Sequence, residues 1–378
     1  MNVLQLTPEL NAGGVERTTI EMAEALITAG HSSHVVSAGG RMEDELIKKG
    51  AHLHRFDIGS KNILTYPSRV RLLKKIIQEH KIDIVHARSR APAWIGHQAA
   101  KDMNTAFMST YHGIYNANSS IKRRYNAIMT KGALTIANSN MTKDHIIKEH
   151  GLEESRIIVI PRGVDLDMFD PAKISAADIK TVRQSWGAAP SDHVLLLPGR
   201  LTEWKGQRVA ILAMLEADSN IRLVIMGDAQ GRTAYAQQLN KLIKDYNLSG
   251  SIHMADHNKN MPLMIAASDL VLSTSIEPEA FGRVAIEAQA MGKPVIATAH
   301  GGTLETVLDK QTGLWVEPND QSALGRAIGS TFGKTPHSWL HDYNPAFARD
   351  HIVRNFSKRA LQSKTLDVYN RLLTRPSV

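Results

Sequence analysis

No cysteine occurs among the 378 residues, so neither disulfides nor thiolate-held metals can staple this chain, and the composition suits a reducing compartment. Aromatic residues reach only 5%, and no nucleic-acid-binding motif accompanies the positive charge, which argues against a nucleic-acid partner. No apolar run approaches the ~20 residues needed to span a bilayer. The opening MNVLQLTPEL runs directly into a strand pattern without a basic segment and apolar stretch, so no secretory leader is expected and the cytoplasm is the expected compartment. The histidines are scattered without metal-ligand spacing, and none is assigned to a metal.

What is present is a globular composition, 43% hydrophobic, in a length that suits two domains. The net charge of +8 is uneven: residues 1–185 hold 25 Lys+Arg against 19 Asp+Glu, and the remainder 20 against 18. SRVRLLKKIIQEHK (68–81) carries Arg69, Arg71, Lys74 and Lys75 on a candidate amphipathic helix, and SSIKRRYNAIMTK (119–131) puts Lys122, Arg123 and Arg124 beside Tyr125. Such helices suit an anionic membrane surface or a phosphorylated acceptor; a solvated helix face is the plainer alternative.

Strand and helix patterns alternate from the start. NVLQLTP, SHVVSAG, AHLHRFDI, IDIVHAR, AFMSTYHG, LTIANS and RIIVIPRG read as one series of strands. HVLLLPGR, IRLVIMGD, SIHMAD, two strands within 268–298, and LWVEP form a second series. Strands separated by helices predict doubly wound parallel sheets, hence an α/β chain of two Rossmann-like domains with a cleft between them. The expected domains are 1–170 and 186–350, with 166–192 as the crossing and a last helix, about 356–378, packing back on the first domain.

Residues 268–298, SDLVLSTSIEPEAFGRVAIEAQAMGKPVIAT, concentrate the chemistry. Leu270, Val271 and Leu272 make a buried strand, Glu277-Pro278-Glu279 cannot continue it, and Phe281-Gly282 opens a helix that Gly292-Lys293-Pro294 stops. A helix start favours a phosphate through its free N–H groups and dipole. Glu279 precedes that start and Glu287 lies inside it, so two carboxylates can face hydroxyls on either side of a bound diphosphate, as carboxylates hold ribose diols. Ordinary glutamates on a surface helix would have the same spacing.

Other candidates also follow strands, where open parallel sheets bind ligands. Gly13-Gly14 permits close approach of backbone to a phosphate or sugar, or is simply a turn. Arg200 and Lys205 could clamp a diphosphate, one as a planar fork and one as a point charge, or remain solvated loop cations. His112 could donate to a sugar hydroxyl or leaving group, or serve the structure. Asp165-Leu166-Asp167 has the D-x-D form that can hold a divalent ion, but its position at the domain crossing favours a linker role.

In order along the chain, ELNAGGVER, TYHG, ANSNMTKD, IPRGVD, PGRLTEWKG, EPEAFGRVAIEAQAMGKPVIAT and GGTLETV resemble the retaining GT-B glycosyltransferases of family 4, over the whole length. The Glu279-to-Glu287 spacing enclosing Phe281-Gly282 is the most specific of these signals. The resemblance implies that Arg200 and Lys205 hold the donor diphosphate, Glu287 the ribose diol, and Glu279 the transferred sugar. Amides near Phe281 and Gly282 would meet sugar and phosphate, His112 would contact the sugar, and Gly13 and Gly14 would lie beside the diphosphate. It implies no metal for chemistry. Arg162 where Asn is usual, Glu277, and Arg283 depart from the family pattern; the last two resemble a subgroup of bacterial lipopolysaccharide core glycosyltransferases that includes mannosyltransferases.

The expected enzyme is therefore a hexosyltransferase using a nucleotide-sugar donor, GDP-mannose first and a UDP-hexose next, with a glycolipid or oligosaccharide acceptor at the cytoplasmic face of the inner membrane. The rival readings are a sugar phosphorylase, a nucleotide-sugar epimerase of the same fold, and a non-catalytic two-domain sugar-binding protein. No supporting pyridoxal phosphate motif accompanies the first, a product assay separates the second, and a secretory leader would have favoured the third.

Overall fold

A computed structural model describes residues 1–378 except 12, 230, 232, 333–337 and 375–378. The chain divides into Met1–Gly163 with Lys358–Val378, and Val164–Ser357. The division thus falls at residue 163, before the expected crossing: within 166–192, Ala176–Ser185 is a helix of the second unit, its Ile179 and Val182 packed on that unit's core. The first unit holds 27 Lys+Arg against 16 Asp+Glu and the second 18 against 21, so the whole positive excess belongs to the first.

The first unit is built on β1 (Asn2–Leu6), β2 (Ser32–Ser37), β3 (His52–Arg55), β4 (Ile84–Ala87), β5 (Ala106–Tyr111), β6 (Thr135–Ala137) and β7 (Ile157–Val159). All pair in parallel, in the order β3-β2-β1-β4-β5-β6-β7. The central strands are buried on both faces, which is why they read as continuous apolar runs rather than alternating ones. One face packs on Leu73, Ile76 and Ile77 of the helix Tyr66–Glu79. The other packs on Met22 and Leu26 of the helix Gly14–Thr28 and on Leu361, Val368 and Tyr369 of the last helix, Lys358–Thr374. Residues 375–378 of that expected segment lie outside the described residues.

A polar network runs through this second layer. Arg88, 2% exposed, donates from Nε (2.8 Å) and Nη2 (2.5 Å) to Gln5 Oε1. The His86 ring bridges Tyr369 Oη and Thr110 Oγ1, each at 2.7 Å. Arg69 departs from the solvated basic face expected of 68–81: it is buried, and its guanidinium donates to the carbonyls of Ile58, Ser60, Asn62 and Thr65. It folds the preceding loop onto the helix and is not available to a surface partner.

The second unit carries β8 (His193–Pro198), β9 (Ile221–Met226), β10 (Ile252–Ala255), β11 (Leu270–Ser273), β12 (Val295–Thr298) and β13 (Gly313–Val316). They too are all parallel, ordered β10-β9-β8-β11-β12-β13. One face covers Val194, Leu196, Val224 and Val271 with helical residues such as Ala285 and Ile286; the other covers Leu195, Leu197 and Ile225 with Val209, Ile211 and Leu324. Among the described residues no helix is long and apolar enough to cross a membrane.

Candidate functional site

In the second unit the winding reverses between β8 and β11, which opens a crevice at the carboxyl ends of those strands. The loops 199–206 and 274–282 leave from it and are knitted together. Ile276 N–H donates to Trp204 O (2.8 Å), and Thr274 Oγ1 to Lys205 O (3.2 Å). Gly206 sits at φ 73° with no room for a side chain, since a Cβ there would lie 1.9 Å from Thr274 O. The lysine loop is thereby clamped to the acidic loop.

Across this clamp Lys205 Nζ meets Glu279 Oε1 at 2.6 Å, and the two side chains are only 15% and 14% exposed. Ser275 Oγ donates to the same carboxylate oxygen, and Lys205 Nζ stands 4.5 Å from the centre of the Trp204 ring. Two residues chosen separately from the sequence thus form one ion pair. Arg200 is exposed; its carbonyl accepts from Gln207 Nε2 (2.8 Å), while its guanidinium takes part in no hydrogen bond or ion pair among the described residues. Glu277 is exposed as well.

The helix after this loop begins at Arg283, later than expected. Gly282 is its N-cap at φ 79°, and no side chain caps it. Its first-turn N–H groups have no intrahelical acceptors, which leaves them facing any anion placed there. Phe281 is 3% exposed, its ring in the core 5.8 Å from that of Phe356, which leaves its backbone as the part that can meet a ligand. The GGTLETV stretch has a steric role. A Cβ on Gly302 would lie 2.4 Å from Phe281 Cα, and one on Gly301 2.5 Å from Glu279 O, to which Gly302 N–H donates at 2.8 Å. Beneath the loop, His300 Nε2 and Thr298 Oγ1 both hold Ser275 O, at 2.7 and 2.8 Å. Nothing in the local spacing had marked His300.

Glu287 lies one turn into the helix, 16% exposed, and accepts from Arg283 Nε at 3.2 Å. Both glutamates therefore carry cations. Beside the β8 loop, at the ends of β8, β9 and β10, a cavity of about 480 Å³ is lined by Leu201, Gly227, Asp228, Ala255, Asp256 and His257 among others.

The first unit reverses its winding between β1 and β4, and holds the remaining candidates. Gly13, at φ 137°, is the N-cap of the helix Gly14–Thr28, which also lacks a side-chain cap; Ala12 of that loop lies outside the described residues. A Cβ on Gly14 would fall 1.4 Å from Arg162 Nη1, so the glycine makes space for this arginine. Arg162 Nη2 in turn lies 3.4 Å from both Nδ1 and the carbonyl of His112, and Asn138 Nδ2 donates to that carbonyl at 3.2 Å. A guanidinium can only donate, so Nδ1 is the acceptor and Nε2 carries the proton. Burial, reinforced by the charge of Arg162, holds His112 well below the ordinary imidazole pKa and keeps it neutral. Its buried Nε2 has no partner among the described residues. His112 is a neutral N–H donor awaiting an acceptor.

The Asp165 triplet caps a turn: Asp165 Oδ1 accepts from Asp167 N–H (3.0 Å) and Met168 N–H (3.3 Å). Gly13, Gly14, His112 and Arg162 belong to the first unit; Arg200, Lys205, Glu279, Gly282 and Glu287 belong to the second.

Residues 12–168 match the model of Glycosyltransferase Family 4, and residues 178–334 that of Glycosyl transferases group 1. A glycosyltransferase crystal structure from Rickettsia africae ESF-5 is 36% identical, with 99% of each chain covered and a TM-score of 0.91. A D-inositol 3-phosphate glycosyltransferase of Xylanimonas cellulosilytica is 32% identical over 198 residues, which span 52% of this chain and 47% of that protein. WaaG, a glycosyltransferase involved in lipopolysaccharide biosynthesis, shares the fold at 18% identity, with 97% of this chain and 99% of WaaG covered and a TM-score of 0.73.

Proposed function

Because this chain belongs to the glycosyltransferases of GT-B fold, its first half matching family 4 and its second half group 1, we propose that it moves a hexose from a nucleotide-diphosphate sugar to a hydroxyl of a cell-envelope glycolipid, with retention. The observation that carries the reading is the helix start at Arg283 without a side-chain cap, with the Lys205–Glu279 pair formed by the loops at that strand end and exposed Arg200 in the same loop as Lys205. These are the parts needed to hold a diphosphate on one side and sugar hydroxyls on the other. The 480 Å³ cavity at the ends of β8 to β10 takes the base and ribose, and Glu287 turns from Arg283 to the ribose diol.

Donor binding then exchanges partners. Lys205 leaves Glu279 for the diphosphate, which frees the Glu279 carboxylate to accept from sugar hydroxyls. The acceptor oxygen attacks C1 on the face from which the diphosphate departs; the C1–O bond to phosphate breaks, and the leaving phosphate oxygen takes the acceptor proton. Charge growing on the diphosphate meets Arg200, Lys205 and the helix N–H groups, already in place before the bond breaks. No metal is needed for these steps. Within the first unit, neutral His112 offers its Nε2–H as a donor to a hydroxyl without bringing a charge of its own.

The acceptor reading rests on the charge of the first unit and its exposed apolar residues. Ile63 (83% exposed), Leu64 (90%) and Ile121 (80%) lie in the same two segments as exposed Arg71, Lys122 and Arg124. The two segments meet over Trp94, whose carbonyl accepts from Tyr66 Oη (3.2 Å) and whose ring stacks on Tyr125 at 6.3 Å. Apolar tips among cations suit an anionic lipid surface at the cytoplasmic face of the inner membrane. Mannose is the favoured sugar on the resemblance of the acidic loop and Arg283. Inositol 3-phosphate is the competing acceptor, because curated relatives carry that name.

Calorimetric titration with GDP, UDP and ADP, then the matching nucleotide sugars, without added metal, tests the donor site. One nucleotide is expected to bind selectively, at least tenfold more weakly in Glu287→Ala; binding of none removes the assignment. Mass analysis of products from a lipopolysaccharide core glycolipid and from inositol 3-phosphate then decides the acceptor and separates transfer from epimerisation.

A further inference from the structure

Histidines gather at one edge of the first unit's sheet, in residues that the transfer reaction does not use. β3 is the edge strand, and its register on β2 places His52 opposite His34 and His54 opposite Val36, so all three histidines share a face. His80 follows the helix Tyr66–Glu79 and is pinned by its backbone. Asn2 Nδ2 donates to the carbonyls of His80 (3.1 Å) and Lys81 (3.0 Å), while Asn2 N–H donates to Asp83 Oδ2 (2.7 Å). The His80 ring thereby stands 4.7 Å from that of His34 and 4.9 Å from that of His54, centre to centre. His34 Nδ1 and His54 Nε2 are 3.1 Å apart, and one ring nitrogen from each of His34, His54 and His80 lies within 4.8 Å of the other two.

We propose that His34, His54 and His80 bind a divalent transition-metal ion, Zn(II) first, that ties the edge strand and the helix end to β2. Tetrahedral zinc with Zn–N bonds of ~2.0–2.1 Å sets its ligand nitrogens about 3.3 Å apart. The His34–His54 pair is already near that spacing, and rotation of the His80 ring closes the third side. Neutral imidazole is the form that ligates. Burial, with neighbouring histidines adding to it, pushes His34 and His54 down to about 4, so neither has to lose a proton at neutral pH. His52 stacks on His34 at 4.9 Å, and the Glu79 carboxylate, acting on His54, is an acidic group favourable to a cation here. Three imidazoles without thiolate suit zinc, copper or nickel over calcium or magnesium, and leave a fourth position for water. An edge strand is paired on one side only, and the ion gives it a second attachment.

The test is calorimetric titration of the chelator-stripped full chain with ZnCl2 at pH 7.5, beside a Co(II) titration read by its visible absorption. One equivalent of zinc is expected, with tetrahedral Co(II) bands and a zinc-dependent rise in Tm. His54→Gln and His80→Gln alter half-buried side chains and should each fold by circular dichroism yet bind at least tenfold more weakly. Absence of a saturable equivalent in the wild type, or its persistence in both variants, overturns the proposal. Nucleotide binding in the second unit is measured separately and leaves this outcome unaffected.

Discussion

Replacing Lys205 by alanine separates the chemistry of the second unit from its stability. In the free protein Lys205 is the only cation bonded to Glu279 among the described residues, at 2.6 Å, with both side chains about six-sevenths buried. Exposed pairs contribute ~0–1 kcal/mol, and breaking a fully buried one costs about 3–5 kcal/mol. This pair stays in contact with solvent, and Ser275 remains as a donor to Glu279, so a loss of about 1–2 kcal/mol is expected, between those limits. Turnover should suffer more. One preorganised donor to developing charge is worth roughly 2.7–4 kcal/mol, or about 10²–10³ in kcat. The assay is nucleotide release at saturating donor and acceptor, alongside denaturant unfolding of the same preparation. Glu279→Gln supplies the second corner of a cycle, and the double variant should lose less stability than the two single losses added together. A Lys205→Ala enzyme with kcat within twofold of wild type would refute the clamp. So would a stability loss large enough to account for the missing activity.

Three other outcomes are expected. Gly206→Ala must hold a side chain at φ 73° against a backbone carbonyl, so it should lose at least about 1–3 kcal/mol in thermal unfolding, whereas Gly250→Ala, with open space around it, should not. Stability should decline as pH falls from 6.5 towards 4: the unfolded chain protonates its histidines near 6.5, while folded His34 and His54 wait until about 4, so the unfolded state binds more protons in that window. The slope of Tm against pH should be shallower in His54→Gln; an unchanged slope would remove His54 from the account. Sedimentation with liposomes containing anionic lipid should retain the wild type at low salt, and Leu64→Asp with Ile121→Asp should release at least half of it; equal retention would remove that surface.

The thirteen strands among the described residues were legible, the central ones because strands buried on both faces leave apolar runs between turn residues, as in Val194 to Leu197. Arg200, Lys205, Glu279 and Glu287 are candidates from position and spacing alone; that Lys205 and Glu279 lie close together is what the structure adds. Their pairing was not legible, since local sequence carries no information about which two loops a sheet brings together. The burial of the Phe281 ring was likewise not legible, since a motif identifies a position without saying how deeply its side chain is packed. Arg69 reads in the sequence as one more surface cation, yet the carbonyls of Ile58, Ser60 and Asn62 surround its guanidinium. Arg162 departs from the family's usual Asn, and the structure gives it a partner in His112. His34 and His54 are brought together by strand register and His80 by the end of a helix, across 46 residues, beyond the reach of any motif with fixed spacing.

The excursion of the chain through Val164–Ser357 before it returns at Lys358 has a consequence during synthesis. When Gly163 leaves the ribosome, the first unit still lacks Leu361, Val368, Tyr369 and Leu372, and His86 has no Tyr369 to bond. At ~5–20 residues per second the wait is on the order of 10–40 s. For that interval Val3, Met22 and Leu26 keep a face uncovered, and the whole second unit is made before the residues that cover it. The order of completion is then the reverse of the order of translation, and the exposed face is where a nascent-chain chaperone would be needed.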